Sequence, residues 1–97
     1  MRLYISGPST GHEDYMERFL EAEKHLEVQD YSVINPAAVD MELPCELTYE
    51  EHIYLDMGML TTCDAIYMLK GWQESRGANR EYGYALGRGL KVMFEEE

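Results

Sequence analysis

The residues best placed for chemistry lie in the segment SRGANREYGYALGRG, Ser75 to Gly89. Glu81 stands six residues after Ser75, about one turn into a helix that follows an apolar strand, Ala65 to Leu69. In an open α/β sheet such a helix starts at the rim where ligands bind, so its first turns face a crevice. A carboxylate there has two readings. It can be a nucleophile that attacks an electrophilic carbon and forms an ester-like intermediate, or one half of an ion pair with Arg80, Arg88 or Lys70. Ser75 suits the N-cap of the same helix, and the free amides and positive dipole end there also favour an anion. Asp56, four residues after His52, could share a metal or form a surface pair with it; without evident third and fourth ligands, no metal is expected. Gly7, Pro8 and Gly11 either let backbone amides approach a ligand or make a plain tight turn, and the dinucleotide GxGxxG pattern is absent. Trp72, the sole tryptophan, could stack on a base or cover the end of the sheet.

The elements that must position these groups alternate along the chain. Arg2 to Ser6 is a short β-rich run ended by Gly7 and Pro8. From about His12 to Val28 the spacing of Met16, Phe19, Leu20 and Leu26 predicts an amphipathic helix, with Glu13, Glu17, Glu21, Glu23 and Glu27 on its wet face. Tyr31 to Ile34 is a second strand, closed by Asn35 and Pro36. Ala37 to Leu47 shows no period and is expected to be the longest irregular connection. Thr48 and Glu51 form a capping box that opens a helix to about Thr61, with Tyr49, Ile53, Met57 and Leu60 as its buried stripe. Ala65 to Leu69 is apolar throughout, as a strand covered on both faces should be. The last helix, about Gly77 to Arg88, stops at Gly89, and Lys91 to Phe94 is the fourth strand before an acidic tail.

The order β-α-β-α-β-α-β predicts an α/β fold: a small Rossmann-like, flavodoxin-like three-layer sandwich with helices on both faces of a parallel sheet. Right-handed crossovers and a reversal after the second strand give the spatial order 2-1-3-4. The crevice then falls between strands 1 and 3, with Gly7 to Gly11 and Lys70 to Arg76 as its walls.

Composition narrows the function. A chain of 97 residues is expected to form one domain, residues 1–97. It is 45% hydrophobic with eight tyrosines, and no window approaches a membrane span. Gly7 and Pro8 interrupt the first strand too early for a signal peptide. Cys45 and Cys63 lack metal or CxxC spacing and read as reduced thiols, so a cytoplasmic protein is expected. With 19 acids against 8 bases and a net charge of −11, a nucleic-acid backbone is an unsuitable partner. A small ligand or another protein fits better.

Three segments, in order, resemble the nucleoside 2-deoxyribosyltransferase superfamily. They are Tyr4-Ile5-Ser6-Gly7, Leu55-Asp56 followed by Asp64, and Arg80-Glu81-Tyr82-Gly83-Tyr84-Ala85-Leu86 with Gly89. That resemblance implies that Glu81 attacks the anomeric carbon of a deoxyribose, Asp56 aids the departing base, and Tyr4 positions the nucleophile. The sugar then passes to water or to another base. Ser6, Gly7, Pro8, Trp72, Ser75 and Gly77 are the expected substrate contacts. Ser75 stands where base-exchanging members carry an acid and where the related 2'-deoxynucleoside 5'-monophosphate N-glycosidases carry a phosphate-binding serine, while Thr10 replaces the arginine of those hydrolases' first loop. The chain also resembles, more closely, a short phage and bacterial group of the DUF4406 type, through YISGP, Asn35-Pro36-Ala37 and the whole run from Cys63 to Glu81.

The resulting expectation is an N-glycosidase or deoxyribosyltransferase acting on a deoxynucleoside or its 5'-monophosphate. It needs no organic cofactor or metal, and its small size and shared site suggest a homo-oligomer. The alternatives are a non-catalytic nucleotide-binding module and a protein-interaction domain, such as a phage accessory factor with an acidic surface.

Overall fold

Alternation along the first strand decides how the molecule is layered. In the computed structural model, which describes residues 1–9 and 12–96, β1 (Arg2–Ser6) turns Leu3 and Ile5 to one face of the sheet and Tyr4 to the other. Successive strand side chains point to opposite faces, so Ser6 shares the face of Tyr4. The same division runs through β3 (Ala65–Met68) and the residue after it. Ala65, Tyr67 and Leu69 pack with Leu3 and Ile5, while Ile66 and Met68 pack with Tyr4.

Each face has its own helices. Phe19, Ala22 and Leu26 of α1 (Tyr15–Val28) close the first face. Leu60 of α3 (Tyr49–Leu60) and Ala78 and Ala85 of α4 (Arg76–Arg88) close the second. With β2 (Ser32–Ile34) and β4 (Lys91–Phe94), the four strands are all parallel in the order β2-β1-β3-β4. This is the Rossmann-like α/β arrangement that the order of elements predicts. All of β3 is buried, as its uninterrupted apolar run requires.

Local signals fix the helix ends. Thr48 Oγ1 accepts from the Glu51 amide, and Glu51 returns a carboxylate to the Thr48 amide, completing the capping box of α3. Ser75 caps α4 by accepting from the Ala78 amide at 3.1 Å, and Gly89 ends it at φ +72°.

Three expectations about the elements are corrected. The stretch from Ala37 to Leu47 is not wholly irregular, because Pro36–Met41 forms a helix, α2. Asn35 Oδ1 accepts from the amides of Ala37 and Ala38, with Pro36 preset for the first helical position. A second correction concerns the apolar stripe of α1, where Ala22 takes the buried place and Leu20 stays 45% exposed. Tyr49 is likewise at the surface, held under the guanidinium groups of Arg76 and Arg80. Gly11, expected in the ligand-binding turn, and Thr10 lie outside the described residues. No described helix is long and apolar enough to cross a membrane.

Candidate active site

The parallel register brings the carboxyl end of β1 beneath α4. Tyr4 and Ser6, two residues apart on one strand face, both reach Glu81 on the buried side of α4. Tyr4 Oη donates to Glu81 Oε2 at 2.6 Å, and Ser6 Oγ donates to Oε1 at 2.6 Å. All three side chains are buried, with Glu81 5% exposed. The ion-pair reading of Glu81 therefore fails: Arg80 lies 3.8 Å from Glu50, and Arg88 bonds to the Tyr84 hydroxyl. Two short hydroxyl bonds, and no cation among the described residues, hold this carboxylate.

The electrostatics follow from that choice of partners. Burial pushes Glu81 up to about 7, opposed by the hydrogen bonds from Ser6 and Tyr4, which favour the ionised form. Tyr4 is raised well above the ordinary phenol value, chiefly by burial and then by the Glu81 charge. It stays a proton donor at any physiological pH. Asp56 also rises to about 7, through burial first and then the charges of Glu81 and Asp40, with His52 opposing. Two carboxyl groups thus titrate near neutrality around one site.

That site is a niche of about 60 Å³ at the base of a cleft of about 590 Å³. Tyr4, Ser6, Gly7 and Glu81 line the niche; Pro8, Tyr49, His52 and Arg76 line the outer cleft. Ser9, Tyr15, Asp40, Asp56, Ser75 and Gly77 line both, which makes the two spaces continuous. The cleft volume falls within the roughly 300–1,000 Å³ of small-molecule sites. The amino end of α4 points its first turn, through Ser75, Arg76 and Gly77, at the cleft wall.

Most expected site residues meet here, with changed duties for some. Glu81, Asp56, Tyr4, Ser6, Gly7, Pro8, Ser75 and Gly77 all line the niche or the cleft. Ser6, expected at the substrate, spends its hydroxyl proton on Glu81. Gly7 has a packing reason, since a Cβ there would sit 2.7 Å from the Cβ of Leu69.

Trp72 is the exception. Its ring packs on Tyr82 at 4.6 Å and near Phe94 at 6.3 Å, on the β4 side, and it lines neither space. An indole beside two other rings gains more from that cluster than from an open crevice. Similarly, the expected second wall shrinks to its last residues, Glu74 to Arg76, because the stretch from Lys70 to Gln73 lines neither space. The wall that replaces it is α2, carrying Pro36, Ala37 and Asp40.

Residues 1–94 match the family described as a domain of unknown function, DUF4406. The chain belongs to the DUF4406 family. None of the curated proteins matches it. In this DUF4406 chain the cleft residue that sequence reasoning missed is Asp40, on α2. His52 turns to Asp40 rather than forming the expected pair with Asp56, with Nδ1 3.3 Å from Asp40 Oδ1. Among the described residues, no three His, Cys, Asp or Glu side chains group as a metal site. The Asn-Pro signal that opens α2 was the available clue to Asp40.

Proposed function

We propose that the chain cleaves, or exchanges, the N-glycosidic bond of a 2'-deoxynucleoside or its 5'-monophosphate, as its likeness to the nucleoside 2-deoxyribosyltransferases suggests. The observation that supports this most is the buried Glu81 carboxylate, gripped by Tyr4 and Ser6 at the bottom of a nucleoside-sized cleft. Carboxylate oxygens offer about four lone-pair sites in all, so two hydrogen bonds leave lone pairs for attack.

In the first step a Glu81 oxygen bonds to C1' of the deoxyribose. The C1'–N bond breaks, its electron pair goes to the base, and Asp56 in its protonated form supplies the proton. In the second step water, or a second base, attacks C1' and releases Glu81, and Asp56 takes the proton back. A carboxyl group poised near neutrality suits both halves of that exchange. Tyr4 and Ser6 aim Glu81 and favour its ionised form. The outer cleft holds the rest of the nucleoside against Pro8, Ser75 and Gly77.

A non-catalytic binding module is the second reading, favoured by one observation. With Glu81 pushed up to about 7, much of it is protonated at neutral pH and unable to attack. The two readings separate when deoxynucleosides and their 5'-monophosphates are incubated with the protein, with and without a second base, and free base is followed by chromatography. Release that vanishes in Glu81→Ala supports the enzyme. Ligands that bind and stay intact support the module.

A further inference from the structure

Two buried carboxyl oxygens remain without hydrogen-bond partners. Among the described residues, the buried side-chain oxygens with no hydrogen-bond partner are Asp40 Oδ1 and Asp56 Oδ1, and both residues line the niche and the cleft. His52 Nδ1 stands 3.3 Å from Asp40 Oδ1 without forming a hydrogen bond to it. Buried polar groups are nearly always satisfied, and leaving one unpaired is costly. Their hydrogen-bond partners are therefore expected from whatever occupies the site.

We propose that Asp40 and Asp56 together read the edge of the departing base and select bases that carry an amine beside a ring nitrogen. This rests on the N-glycosidase reading, which already sets the base against Asp56. With Asp56 as the proton-bearing partner, as in the reaction, the pair offers the cleft one donor, on Asp56, and one acceptor, the unpaired Asp40 oxygen. Adenine answers with N7 as acceptor and its N6 amine as donor, and cytosine with N3 and its N4 amine. On the same N7 edge a 6-oxo purine offers two acceptors, N7 and O6, so its oxygen would face the Asp40 oxygen with no proton between them. The reaction uses the same contact: the Asp56 proton moves to N7 as the C1'–N9 bond breaks, and the amine stays on Asp40. Asp40 is then a specificity-determining residue, delivered by the short helix that Asn35 and Pro36 begin.

The test compares deoxyadenosine with deoxyinosine, which on the N7 edge differ only in the group at position 6, in the native protein and in Asp40→Asn. The native chain should cleave deoxyadenosine with a kcat/KM at least about tenfold higher, the scale of one mispaired buried polar group. In Asp40→Asn the side-chain amide can donate to the 6-oxo group, so the ratio should move about tenfold or more toward deoxyinosine. Equal rates in the native chain, or an unchanged ratio in the variant, would overturn the proposal while leaving the glycosidase intact. If no nucleoside is cleaved, the glycosidase reading fails, and calorimetry with free adenine and hypoxanthine tests the aspartate pair alone. Tighter adenine binding that is lost in Asp40→Asn supports the pair; equal binding, or none, overturns it.

Discussion

Glu81 and Tyr82 are neighbours on α4, yet they belong to opposite kinds of surface. Glu81 turns inward to two hydroxyls and an open niche, whereas Tyr82 turns toward Trp72 and Phe94 and closes a cluster of rings. Both regions carry residue types that read as ligand-binding in the sequence. Only the first has buried carboxyl oxygens without partners and space for a ligand beside them. The comparison teaches that an unusual residue marks a site when unpaired polar groups and open space lie beside it, as Asp40 and Asp56 lie beside Glu81, and marks packing when rings close over it.

The strongest way to break this contrast is Glu81→Gln. It should lower base release by about three orders of magnitude or more, as losing a catalytic nucleophile does, while the fold persists. The sign of its pH effect is also fixed. Glu81 and Asp56 are raised from the ordinary carboxylate range to about 7, so the folded state holds protons that the unfolded state has lost. Their contribution to stability is full below about pH 4 and falls as pH rises to about 7. Melting of Glu81→Gln across that range should show a weaker fall than the native chain, and an identical pH dependence would contradict the buried carboxyl group.

Next come the two hydroxyls. Removing either donor, in Tyr4→Phe or Ser6→Ala, should cost kcat/KM about ten- to hundredfold at neutral pH, the scale of one hydrogen bond to a charged group. The lower limb of the pH–rate profile should move to higher pH, because each hydroxyl favours ionised Glu81. A uniform loss of activity without that movement would reduce both residues to packing.

Trp72→Ala sharpens the other side of the comparison. It should destabilise the fold by about 2 kcal/mol, below the cost of deleting a fully buried large aromatic, in urea denaturation. Its kcat/KM per folded molecule should stay within a few-fold of native. A large rise in KM with unchanged stability would return Trp72 to the ligand.

The smallest effect belongs to Asn35→Ala, which removes the cap of α2 and should cost about 1 kcal/mol. Because α2 carries Asp40, substrate preference should loosen along with stability. Loss of stability with preference untouched would detach the helix from the site.

These residues also show what the sequence made legible. The strand order followed from the alternation of elements and the wholly apolar β3, and the α3 and α4 ends followed from Thr48, Glu51, Ser75 and Gly89. Glu81 stood out by its position in α4. Its partner Ser6 did not, because nothing along one chain says which hydroxyl meets which carboxylate across 75 residues. The α2 helix was missed because six residues are too few to show a period, although Asn35 and Pro36 form a sound start signal. Trp72 misled because a loop position beside a crevice is compatible with both stacking on a ligand and covering a sheet end, and only the placement of Tyr82 and Phe94 separates them.

The most direct measurement is the mass of the protein after a single turnover with its best deoxynucleoside, followed by peptide mapping. A covalent nucleophile predicts a deoxyribosyl adduct on the peptide carrying Glu81, formed as base is released and absent in Glu81→Gln. Base release without any adduct, undiminished in Glu81→Gln, would contradict it.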